Sequence, residues 1–316
     1  MATILITGAS GFVGGRVTRE AERKQAALRL MSHRRPVSDS GHPVVPGDLA
    51  DPATLHGVCD GVDILIHCAS QVGGTVEANE AVNARGTTAL VEEARRAGVS
   101  RIVLLSTASV YGRGTFRGSR PEELTRNPGS PTSRTRAVAE DAVLSAGGIV
   151  LRPHLVYGEG DTWVGPGLTR IPLTLPGTVA GWPSLLSLIS VGDLAGLLVA
   201  TALAPASALS TSVYHAAHPV PVTAEALLRA VAECAATPWP EGELTVEQAR
   251  AILTENGQPS SVLDMLTTDH HFDSTPLWSD LRRDPGPGFA DGFRRAAPWY
   301  RSTLKAGGTD VRHTGS

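Results

Sequence analysis

Thr7-Gly8-Ala9-Ser10-Gly11-Phe12-Val13-Gly14 stands between a short apolar run, Thr3 to Thr7, and an amphipathic stretch, Val13 to Gln25. No other segment restricts the fold of this chain as strongly. Glycines at this spacing let the backbone turn tightly between a buried strand and a helix. They also let it approach a pyrophosphate, whose charge then rests on the helix N-terminus. Ordinary turns use glycine too, so the specificity comes from the position after a first strand and before a helix. Gly8, Ser10, Gly11, Phe12, Val13 and Gly14 are the expected phosphate cradle.

The same strand-and-helix rhythm continues. Ala27 to Ser32, Asp63 to Ala69, Arg101 to Ser106 and Ile149 to Leu155 read as strands, with Glu77 to Ala97 and Ser133 to Ala146 as helices. Such alternation predicts an α/β fold, a doubly wound parallel sheet covered on both faces. After Gly158 the rhythm changes, as Gly, Pro and Trp punctuate the segment 160–183. Helices follow at Val191 to Leu203 and within 219–243, the latter opened by Thr223 as N-cap with Glu225 in its first turn. The expected division is a dinucleotide-binding domain, 1–158, with a return segment near 186–218. A smaller α/β substrate lobe takes 159–185 and 219–304, and 305–316 is a frayed tail.

The end of the second strand bears on which dinucleotide is bound. An acid there selects a free ribose 2′-OH, whereas Arg accommodates a 2′-phosphate. The chain reads Leu30-Met31-Ser32-His33-Arg34-Arg35, with no acid before Asp39. Hydroxyl, imidazole and guanidinium groups suit a phosphate, so Ser32, His33 and Arg34 predict NADP(H) over NAD. Asp48, in Gly47-Asp48-Leu49, is placed to accept from the adenine amino group.

Composition excludes several other classes. A net charge of -3 and a pI of about 6.4 argue against a nucleic-acid partner held by bulk charge. No apolar run reaches the roughly 18 residues of a membrane span, and no leader-like segment opens the chain. Cys59, Cys68 and Cys234 are too scattered for a disulfide framework or metal spacing. Asp269-His270-His271 reads as a solvated loop rather than a metal site, and His67 as a core histidine. The expectation is a soluble, cytoplasmic chain with no metal, no nucleic-acid partner and no membrane partner. Of 28 basic residues only Lys24 and Lys305 are lysine, a strong arginine bias.

Further motifs follow in a recognisable order: Ile66-His67-Cys68-Ala69, Asn83-x-x-Gly86-Thr87, Ser106-Thr107-Ala108-Ser109-Val110-Tyr111-Gly112, Leu151-Arg152-Pro153-His154-Leu155-Val156-Tyr157-Gly158 and Val191-Gly192-Asp193-Leu194-Ala195. With the cradle, they make the chain resemble the extended short-chain dehydrogenase/reductase family, in its sugar-nucleotide epimerase and dehydratase branch. The resemblance implies a Rossmann-like fold and a hydride-transferring site. It further implies that Leu49, Cys68, Ala69, Ser70, Asn83, Pro153, His154 and Val156 face the cofactor, and that Thr107 binds the substrate carbonyl or hydroxyl.

The family's acid/base is a Tyr followed four residues later by Lys, in P-Y-x-x-S-K-x-x-x-E. The matching stretch here is Pro131-Thr132-Ser133-Arg134-Thr135-Arg136-Ala137-Val138-Ala139-Glu140. It puts Thr132 at the Tyr and Arg136 at the Lys. A Thr hydroxyl is too weak an acid to replace a tuned phenol. Arg does not shed its proton, although it can hold the nicotinamide ribose.

Four readings stay open. The alignment is displaced and Tyr111 or Tyr157 is the acid; or the chain is a cofactor-binding sensor similar to the NmrA-type regulators; or it is a sugar-nucleotide epimerase or dehydratase; or it is a reductase that takes its proton from water, His154 or the substrate. The last resembles the atypical ketoreductases of aromatic polyketide pathways, the simocyclinone type, where a phenol peri to the ketone protonates the forming alkoxide. The preferred expectation is an NADPH-dependent ketoreductase acting on a small aromatic ketone, with Thr107, Thr132 and Arg136 at the catalytic site. Trp163, Trp182, Trp239 and Trp278 are expected to pack the lobe, with Trp163 or Trp182 as alternative walls of an aromatic pocket.

Overall fold

A computed structural model describes residues 2–33, 37 and 41–307. Seven strands, β1 (Thr3–Thr7), β2 (Ala27–Ser32), β3 (Val44–Pro46), β4 (Ile64–His67), β5 (Arg101–Leu105), β6 (Ile149–Arg152) and β7 (Val213–His215), form one sheet. Their order is β7-β6-β5-β4-β1-β2-β3, and every neighbouring pair is parallel. This is the doubly wound, Rossmann-like sheet that the alternation predicts. All four residues of β4 and of β6 are buried, which is why these strands read as continuous apolar runs. The strand order reverses between β1 and β4, and in such sheets that reversal opens a crevice at the carboxyl ends of the strands.

Period-two side chains feed two cores. Ile4 and Ile6 pack on one face with Leu28, Leu30 and Ile66, beneath helices α1 (Phe12–Arg23) and α4 (Val191–Leu203). Leu5 turns to the other face with Leu65 and Leu104, under α2 (Thr87–Arg96) and α3 (Pro131–Ser145). A further cluster contains Trp182, Leu227, Leu253, Phe293 and Tyr300 from the segments after residue 158. Leu277 and Trp278 join the sheet's core instead. No helix among the described residues is long and apolar enough to cross a membrane.

Three local expectations need correction. The stretch expected as one strand from Ile149 to Leu155 divides at Pro153. β6 ends at Arg152, and Leu155–Tyr157 pairs with Leu188–Ser190 in a separate ladder. Pro153 has no N–H for the main ladder, and its carbonyl accepts from Ala108 N at 2.8 Å. The helix expected from Glu77 starts at Val76, capped by Thr75, and widens into a π-helical stretch over Glu80–Gly86 before α2. That turn carries Asn83 over the loop after β4, and such widened turns recur at functional sites. Finally, His270–Phe272 is no solvated loop but a strand beside Phe116–Ser119.

Candidate active site

The glycine cradle is built by close approach. Gly8 has φ +71°, and a Cβ there would lie 2.8 Å from Ala69 N. At Gly14 a Cβ would fall 2.1 Å from the Gly8 carbonyl oxygen, so the first turn of α1 packs directly on the β1 turn. Gly11 N donates to Gly8 O at 2.9 Å, and Gly11 caps α1 with no side chain over the helix end. Phe12 and Val13 open the helix, and the ring of Phe12 faces Gly160.

Thr7 and His67 tie the ends of β1 and β4 together. The Thr7 hydroxyl accepts from Ala69 N at 3.2 Å and bonds His67 Nδ1 at 2.6 Å, while His67 Nε2 meets Thr87 Oγ1 at 3.0 Å. Burial pushes His67 down to about 3. Both ring nitrogens are spent on threonines, so the ring works as a strut.

Over these ends lies a cleft of about 390 Å³ lined by Gly8, Ser10, His33, Asp48, Leu49, Ala69 and Ser70, all expected from the sequence. His33 Nε2 lies 2.9 Å from Asp48 Oδ2, and the other carboxylate oxygen of Asp48 accepts from Ala50 N at 2.8 Å. Ser32 ends β2, its carbonyl accepting from Gly47 N. Arg34 lies outside the described residues. Gln71 and Met31 also line this cleft; neither stood out in the sequence, because their part in the wall comes only from chain reversal.

Asn83 is buried and turned to the loop rather than the cleft. Its amide accepts from Gln71 N at 2.8 Å and donates to Gln71 O at 2.9 Å. Thr132, at the start of α3, accepts from Gly73 N at 3.3 Å and donates to Asn79 Oδ1 at 2.8 Å. Both residues therefore latch the loop after β4 to the flanking helices.

One turn further along α3, Arg136 is only 4% exposed. Its buried Nη1 has no hydrogen-bond partner among the described residues. Burial lowers its pKa to about 10, against the field of Glu140, the larger of the two opposing charges. Cys68, beside it, is pushed up to about 12 by burial and stays a thiol.

Glu140 anchors the adjoining segments. It accepts from Ser106 Oγ at 2.5 Å and from Arg152 Nε at 2.9 Å, and Arg152 Nη1 donates to the Tyr111 hydroxyl at 2.7 Å. Tyr111 also meets His215 Nε2 at 2.7 Å. Tyr157 is buried against Phe289 and Phe293, and its hydroxyl lies against Gly292. The two tyrosines offered as substitute acids thus sit in structural surroundings. The remaining two, Tyr214 and Tyr300, donate to Asp280 and Asp161.

A second cleft, about 560 Å³, lies between the β5 end and the later strands. Ser109, Ser130, Ser133, His154, Phe116 and Phe272 contribute to its wall, with Arg113, Asp264, Met265 and His270. Thr107 stands behind Ser109, accepting from its N–H and donating to its Oγ, both at 3.1 Å. Val156 lies on the Leu155–Tyr157 ladder, opposite Ile189. Phe116 and Phe272 escaped the sequence reading because they lie on short strands far apart in the chain, with no periodicity to mark them. Trp182 packs in the cluster with Leu227 and Phe293, and Trp163 is 61% exposed.

The orphaned guanidinium nitrogen and the glycine cradle fit a phosphate-bearing dinucleotide. They provide backbone donors at a helix end and an unspent buried cation near the switch point.

Comparison with known proteins agrees with the fold. The 2-alkyl-3-oxoalkanoate reductase of Stenotrophomonas maltophilia (strain K279a) is 28% identical over 323 residues, covering 92% of this chain and 97% of that protein. The ceramide reductase of Caulobacter vibrioides (strain NA1000 / CB15N) is 31% identical over 211 residues, 64% of this chain and 61% of its own length. The UDP-glucose 4-epimerase of Thermus thermophilus, solved in complex with NAD, superposes with a TM-score of 0.71 at 21% identity, covering 95% of this chain and 99% of that one. At that identity the likeness is one of fold. The sequence profile of the NAD dependent epimerase/dehydratase family matches residues 4–173, more than half of the chain, and the protein belongs to that family.

Proposed function

We propose that this chain is an NADPH-dependent ketoreductase that reduces a ketone of a small aromatic metabolite of polyketide type, without a Tyr/Lys acid-base pair. The observation that carries the reading is Arg136, a buried guanidinium with an unspent Nη1, next to clefts that no tyrosine or lysine lines among the described residues. The names of the reductases similar to this chain favour ketone reduction. When bound, the dihydronicotinamide supplies a hydride.

The chain's own residues divide the remaining work. The Gly8–Gly14 cradle receives the pyrophosphate. Ser32, His33 and Arg34 receive the 2′-phosphate, with Asp48 at the adenine. Arg136 holds the nicotinamide ribose by charge-assisted hydrogen bonds. Thr107 acts on the ketone through the Ser109 hydroxyl it orders, which faces the cleft and polarises the carbonyl. Thr132 is a spacer that fixes the Gly73 loop. Phe116 and Phe272, their rings tilted 31° to each other, offer an apolar wall to an aromatic ring. The proton comes from water or from a phenol of the substrate.

Steady-state oxidation of NADPH with a panel of aryl ketones tests this reading, together with fluorescence titration of NADPH against NADH. The expected result is ketone-dependent consumption of NADPH and tighter binding of NADPH than NADH. Tight binding without turnover points instead to a sensor. Conversion of a sugar nucleotide without net consumption points to an epimerase. Preference for NADH overturns the part given to Ser32 and His33.

A further inference from the structure

We propose that His154 meets the ketone oxygen of a flat aryl substrate in the second cleft, as a hydrogen-bond donor beside Thr107 and Ser109. This rests on the reductase reading and names a group that touches the substrate.

Three observations carry it. First, His154 is tied to the segment that bears the polarising hydroxyls. Pro153 O accepts from Ala108 N at 2.8 Å, and both His154 and Ser109 line the cleft. Second, its ring is held in place on two sides. It lies parallel to His270 with centroids 5.5 Å apart, and edge-on to Phe272 at 5.8 Å. His270 is itself fixed by strand pairing to Phe116 and by Nδ1 against Thr268 O at 2.9 Å. Third, His154 Nε2 is enclosed and has no partner among the described residues. Buried polar atoms are nearly always satisfied, and an exception in a cleft wall marks a place where a ligand completes the set.

The same surroundings decide which chemistry the ring performs. Burial, then the neighbouring His270, holds His154 down to about 3. It therefore stays uncharged at neutral pH. An uncharged imidazole is a poor proton donor but a full hydrogen-bond donor toward a developing alkoxide, a pattern known for electrophilic histidines. The step balances without a proton from the ring: hydride adds to the carbonyl carbon, the C=O π pair moves to oxygen, and the oxygen takes a proton from water or a peri phenol of the substrate. His154 keeps its own proton throughout.

The test uses the full chain and 8-hydroxy-1-tetralone as the probe. Without cofactor, histidine-selective long-range ¹H–¹⁵N NMR is expected to show the His154 Nε2 signal moving on titration with the ketone. With NADPH, His154→Phe is expected to lower kcat about 100-fold while the NADPH Kd stays within about 3-fold, and His154→Gln to recover kcat to within about 10-fold. An Nε2 signal that stays put at saturating ketone overturns the proposal, as does a His154→Phe variant with wild-type kcat. If the wild type turns over no ketone, the reductase reading fails, and the NMR titration still decides the role of His154 in binding.

Discussion

Arg136 carries a positive charge, is buried, and lacks a partner at Nη1 among the described residues. Folding such a group is costly, since a charge removed from water must recover its solvation from neighbours. Glu140 returns part of that through its field. In the role proposed for Arg136, a cofactor ribose or phosphate returns more, because hydrogen bonds to charged groups contribute about 1.5–3 kcal/mol. Arg136→Met is therefore expected to leave the melting temperature of the cofactor-free protein unchanged or raised. Its NADPH affinity should fall about 10- to 100-fold, as those hydrogen bonds imply. Calorimetry and fluorescence titration check the two halves. A protein that loses stability but keeps its affinity assigns Arg136 to structure alone. The composition makes Arg in place of Lys unsurprising in a chain with two lysines. It does not account for Thr132, whose hydroxyl is committed to Gly73 and Asn79. At the residue scale, the absence of a phenol at that position is the fact to explain.

At the scale of elements, legibility follows locality. β1, its glycine turn and α1 are readable because each depends on neighbours in sequence: an apolar run, then glycines whose Cβ atoms would strike Gly8 O or Ala69 N. The N-cap at Thr223 is legible for the same reason, its Oγ1 accepting from Ala226 N at 3.1 Å. The break at Pro153 has a local cause too, but the destination of the freed strand does not. Leu155–Tyr157 pairs with a strand some thirty residues on. The π-helical stretch before α2 left no periodic signature, since one wide turn barely changes an amphipathic pattern. His270–Phe272 was hidden for a different reason. It is a three-residue strand whose partners are Phe116–Ser119 and Leu186, so nothing within its own segment announces a strand. Phe116, His270 and Phe272 reach the wall of the second cleft through that distant pairing. The lining of the first cleft is thus largely legible in the sequence, whereas Phe116 and Phe272 of the second come only from the structure.

For the whole molecule, His67 and His215, both buried, and His154, partly buried in a cleft wall, set the response to acid. His67 and His154 are held down to about 3 and His215 to about 4, each chiefly by burial. In the unfolded chain these rings take up protons near 6.5. Below that pH the unfolded state binds more protons than the folded one, so stability falls as pH drops from about 6.5 toward 4. Each ring contributes a slope of up to about 1.4 kcal/mol per pH unit. Above pH 7 all three are neutral in both states and contribute no slope. Thermal melts between pH 7.5 and 5 are expected to show a falling melting temperature, with proton uptake on unfolding. A flat profile contradicts the burial of these rings as charge-free struts.

The account as a whole stands on reduction without an acid at position 132. Its most direct test is the kcat and the NADPH affinity of Thr132→Val, measured with an aryl ketone that the wild type reduces. Loss of the Thr132 hydroxyl slackens the Gly73 loop, so a weaker NADPH affinity is predicted, with kcat at saturating cofactor within about 10-fold of wild type. A kcat reduced about 1,000-fold with unchanged NADPH affinity would make Thr132 the proton donor and contradict the account.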